Sequence, residues 1–63
     1  MNTDTFDLML NEAFINARRA RKFAVELEGD TTIKPTIAKM WHELADKLFE
    51  VSEHADMMRT GNY

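Results

Sequence analysis

The chain contains no cysteine, one proline, two glycines and, in Ser52, a single serine. Without cysteine there is no disulfide and no thiolate metal site, which fits a reducing compartment. So few turn-forming residues leave little sequence for loops. No apolar run reaches the roughly 18 residues that a membrane span needs. The opening MNTDTFDLML carries aspartates where a secretory signal would carry lysines. A cytoplasmic protein with no membrane attachment is expected. Glycine-rich phosphate loops are missing too, and no base with an orienting group surrounds Ser52. Catalysis is therefore not expected, and neither is a cofactor.

What is present is 63 residues, 44% hydrophobic and 30% charged, with a net charge of −3. That balance belongs to a folded chain and not to a disordered one. The length allows one domain, residues 1–63. Below roughly 70–80 residues a natural domain usually needs a staple, and with disulfides and thiolate metal sites excluded, self-association is the one that remains.

The spacing predicts two helices. Thr3 or Asp4 can cap the first, which continues without a breaker to Glu28, where Gly29 stands in the position of a C′ glycine. GDTTIKP follows, and Pro35 is tolerated only in a first helical turn, with Thr32 or Lys34 as cap. The expected spans are helix 4–28, turn 29–33 and helix 34–60, with Gly61 closing the second helix. A connection this short forces the helices antiparallel. The fold class is all-α, an antiparallel two-helix hairpin. If it turns about residues 31 and 32, Arg18 faces Ala45 and Arg21 faces His42.

Phe6, Leu10, Ala13, Ala17, Ala20, Ala24 and Leu27 form a heptad seam on the first helix, with alanine through its middle. Such a seam admits a close neighbour and leaves space for large side chains opposite. Ile33, Ile37, Met40, Trp41, Leu44, Leu48, Val51, Ala55 and Met58 of the second helix are expected to supply them. With Ala38, Ala45 and Phe49 these cover about half the helix circumference, more than the stripe of roughly 100° that one facing helix occupies. A lone hairpin would expose the surplus as a contiguous apolar patch. A homodimer, two hairpins forming a four-helix bundle, is the expected solution. Phe14, Phe23, Met40, Trp41 and Phe49 are the candidates for a dimer or partner interface, Trp41 foremost because tryptophan dominates such surfaces.

The segment NARRARK places Arg18, Arg19, Arg21 and Lys22 within five residues. Clustered cations can hold a phosphate backbone, so these four are the candidate nucleic-acid contacts. By helical steps, however, they point in different directions, and Glu12 and Glu26 dilute the field. Arg18 and Arg21 are expected to pair instead with Glu43, Asp46 or Glu50. HELAD, His42 to Asp46, is close to the zinc-protease HExxH but lacks a third ligand. In EVSEH, Glu50 and His54 have the spacing of a helix-surface ion pair. No metal site is expected from either.

Taken whole, LMLNEAFINARRARKFAVELE and MWHELADKLFEVSEHAD resemble the small proteins that lambda-like phages encode between the recombination and excision genes of the early leftward operon. The resemblance covers most of the chain but carries no functional motif. It implies a helical, non-enzymatic protein in the cytoplasm of the host cell, binding a host or phage protein and biasing development towards lysis. In architecture alone, the dimerising hairpin also resembles the plasmid copy-number protein that binds paired RNA loops. The expected function is thus protein–protein regulation, with a nucleic-acid-binding dimer as the alternative.

Overall fold

The computed structural model describes residues 3–61. Helix α1 spans Thr3–Glu28 and helix α2 spans Pro35–Thr60, joined by residues 29–34. Neither glycine nor proline interrupts α1, and Asp4 sits in its first turn, where the helix dipole favours a negative charge. Because α1 already includes Thr3, the residue that would cap it lies outside the described residues.

The exit from α1 differs from expectation. Gly29 is not left-handed. The helix instead tightens, the amides of Gly29 and Asp30 donating to the carbonyls of Glu26 and Leu27 at 3.2 and 3.1 Å. Asp30 then turns the chain, its Oδ1 accepting from the Thr32 hydroxyl at 2.6 Å and the Thr32 amide at 2.9 Å. Those two bonds, the hydroxyl's first, hold the Asp30 carboxyl below its ordinary range. Thr32 is thereby engaged in the turn, and Lys34 is the N-cap of α2, with Pro35 as the first helical residue and no side-chain cap bond.

At the far end Gly61 adopts φ 80°, and its amide donates to the carbonyls of Met57 and Met58. The two glycines should therefore respond oppositely to alanine. A Cβ on Gly29 would sit 3.6 Å from the Glu26 carbonyl, an ordinary contact. Gly29→Ala is expected to stabilise by about 0.4–1 kcal/mol through the unfolded chain. Gly61→Ala meets no atom but must hold a left-handed backbone, which costs roughly 1–2 kcal/mol. Thermal melting of the two variants should bracket the parent. The reverse order would contradict the geometry.

The helices form an antiparallel hairpin in the expected register. Arg21 meets His42 and Phe23 meets Trp41, so residues whose numbers sum to 63 or 64 lie level. The α1 seam points inward, with Ala17, Ala20 and Ala24 buried and Phe6, Leu10, Ala13 and Leu27 half-buried. Its counterpart on α2 is centred on Ala38, Ala45 and Ser52, each seven residues from the next; of the residues expected there, Ile33, Trp41, Leu48 and Ala55 are half-buried beside them, whereas Ile37, Met40, Leu44, Val51 and Met58 are exposed. Small faces small. The reason is thickness: the hairpin measures 45 × 20 × 12 Å, about one helix diameter deep. With no third layer, a large side chain between the helices would force them apart, so the large residues turn to the flanks. No large side chain is fully buried among the described residues. None of the described helices is long and apolar enough to cross a membrane.

Candidate interaction face

Seven residues separate Ile37, Leu44, Val51 and Met58, and this stripe lies one helical step from the buried Ala38, Ala45 and Ser52. All four are exposed, from 38% for Ile37 to 61% for Met58. Met40 lies beside them and is 64% exposed. On α1, Met9 and Phe23 stand two heptads apart and are also exposed. The contacts put both stripes on one side of the hairpin. Phe23 meets Trp41 edge to face, ring centroids 4.8 Å apart. Met9 and Val51 line a common groove of about 220 Å³ with Phe6, Leu10, Ala13 and Ala55. Of ten exposed large apolar residues, these seven share one broad face, which makes it a surface and not a scatter.

The opposite flank carries the ion pairs that join the two helices. Arg21 reaches across from α1 and donates through Nη1 to His42 Nδ1 at 2.7 Å and through Nη2 to the Asp46 carboxylate. His42 Nε2 donates in turn to the Glu28 carboxylate. Arginine cannot accept, so Nδ1 is the bare nitrogen and Nε2 carries the proton. At the open end Arg59 ties Asp56 at 3.0 Å and Asp7 of α1 at 3.3 Å. The Asp56 hydrogen bond and then the Asp7 charge hold the Arg59 guanidinium above its ordinary range.

No protein-family model, curated protein or solved structure matches this chain.

Of the five interface candidates, Phe23, Met40 and Trp41 fall on the apolar face. Phe14 and Phe49 fall on the polar flank, one heptad from Arg21 and His42 respectively, and both are half-buried. Met9, Leu44 and Val51 join the apolar face although the aromatic content of the sequence did not single them out. Their signal was the heptad offset by one from the small residues. The four basic candidates separate as well. Arg21 is engaged in the polar flank, whereas Arg18 and Lys22 are exposed on the back of α1 and Arg19 is exposed beside Glu12 and Asn16. Arg18 forms no ion pair among the described residues, so the expected partner for it is not found. Of HELAD, His42 and Asp46 are both held by Arg21, and Glu43 is exposed. Glu50 lies 3.6 Å from Lys47. Among the described residues no three histidine, aspartate or glutamate side chains group as metal ligands would.

Proposed function

We propose that this is a non-enzymatic accessory protein that acts by protein–protein contact through the apolar face carrying Phe23, Met40, Leu44 and Val51. The observation that supports this is the gathering of seven exposed large apolar side chains on one side of a hairpin whose other side is ion-paired. Apolar surface of this extent is costly to leave in water and is the usual mark of an interaction site. On the resemblance noted above, the protein works in the cytoplasm of a phage-infected host cell and biases development towards lysis.

Phe23→Ser is expected to abolish retention of protein partners by the immobilised chain, while Leu8→Ser on the back of α1 leaves retention intact. Equal retention by both variants would overturn the reading.

A second reading follows from Arg18, Arg19 and Lys22, which are exposed and form no ion pair among the described residues. A net charge of −3 and the interleaved Glu12 and Glu26 oppose it. Duplex DNA or RNA is expected not to bind even at low salt. Binding that weakens steeply with salt, the signature of released counterions, would move the function to this cluster.

A further inference from the structure

We infer that the apolar face is covered by a second copy of this chain, docked about a two-fold axis that runs perpendicular to the helices and passes Asn16. This rests on the reading of that face as an interaction surface and names its occupant. The chain exposes 5011 Å², whereas a compact monomer of 7.3 kDa exposes about 4,200 Å². The excess, roughly 800 Å², equals what each partner contributes to a standard protein interface. The radius of gyration agrees, at 14.5 Å against about 11 Å for a compact domain of this length. Half of a bundle has these dimensions.

The face also complements itself in one orientation. In the loop half it carries the edge-to-face Phe23–Trp41 pair, with a shallow concavity beside it lined by Met40, Trp41 and Leu44. In the open half it carries the groove of about 220 Å³ between Met9, Ala13, Val51 and Ala55. Asn16 lies midway between Met9 and Phe23, and the hairpin register sets it level with residues 47 and 48 of α2. The same level is the midpoint of the stripe from Ile37 to Met58. A two-fold axis there brings Phe23 of each chain opposite Met9 of the other and Leu44 opposite Val51. Each aromatic pair then lies over the other chain's groove. α1 then packs on its own copy and α2 on its own. A two-fold axis parallel to the helices would instead set aromatic pair against aromatic pair and groove against groove.

Two further features fit. Glu12 and Arg19 share a rim of the face with Asn16, and the axis sets Glu12 of one chain beside Arg19 of the other, twice. Asn16, the polar residue between Met9 and Phe23, meets itself on the axis, where amide side chains can donate and accept reciprocally. A paired asparagine in an apolar seam is a known means of selecting one register and one oligomer size. Lys47 stands at the rim beside Glu50, which offsets its approach to its own copy.

The chain has no cysteine, so single cysteines report the geometry cleanly. Light scattering should give twice the 7.3 kDa chain mass at micromolar concentration. Asn16→Cys should link to itself on oxidation as the main species, and Asp30→Cys in the loop should not, because the loops lie at opposite ends of a 45 Å bundle. A twofold mass with linkage at position 30, or with linkage at neither position, overturns the proposed axis. A mass of 7.3 kDa at every concentration overturns the second copy. Acrylamide quenching of Trp41 then separates the two failures. A readily quenched tryptophan leaves the face an interface for some other protein, and a shielded one removes the interface reading as well.

Discussion

Ala45→Leu is expected to lower the melting temperature by about 10–20 °C, or to prevent folding in dilute solution. Ala45 is fully buried, and Ala17 and Ala20 of α1 lie just to either side of its level. The helices approach closely because both surfaces are small there. A leucine adds three carbons where no void exists, and neither backbone can retreat without losing contact along its whole length. Overpacking costs roughly 1–3 kcal/mol even in larger cores, and a 63-residue domain commands only about 3–9 kcal/mol in total. Glu43→Leu, two residues away and exposed, adds the same side chain outside the seam and should leave melting nearly unchanged. Equal melting of the two variants would mean that the small-on-small seam does not hold the hairpin together.

The second large effect concerns association. Leu44→Asp combined with Val51→Asp should raise the dimer dissociation constant at least a thousandfold, equivalent to about 4 kcal/mol. In the proposed bundle these two residues face each other across the axis, so each chain would set a carboxylate against its partner's. Desolvating such a pair costs several kcal/mol, and like charges add to it. Met57→Asp introduces the same carboxylate on another side of α2, away from the stripe, and should leave the mass unchanged. If Met57→Asp dissociates the dimer and the double variant does not, the wrong face has been assigned.

Much of the fold was legible because helices announce themselves locally. An unbroken 3.6-residue period, Pro35 at a first turn and Gly61 after a last one are signals carried by near neighbours. The short connection made the antiparallel pairing unavoidable, and with it the register in which Arg21 meets His42. The α1 seam was equally plain, since alanine at 17, 20 and 24 is distinctive against its charged surroundings.

What the sequence could not decide was which stripe of α2 answers that seam. Ile37, Leu44 and Val51 make the more hydrophobic stripe, and Ala38, Ala45 and Ser52 the less hydrophobic one beside it. Hydrophobicity alone ranks the first as core. The separation of the two backbones ranks the second, because dispersion contacts along two closely packed helices outweigh a few large side chains wedged between them. The sequence by itself thus determined two helices, their length, their direction and their surplus of apolar surface. Only the tertiary structure decided where that surplus goes, since choosing between neighbouring stripes depends on how near the other helix comes, a distance no local pattern contains.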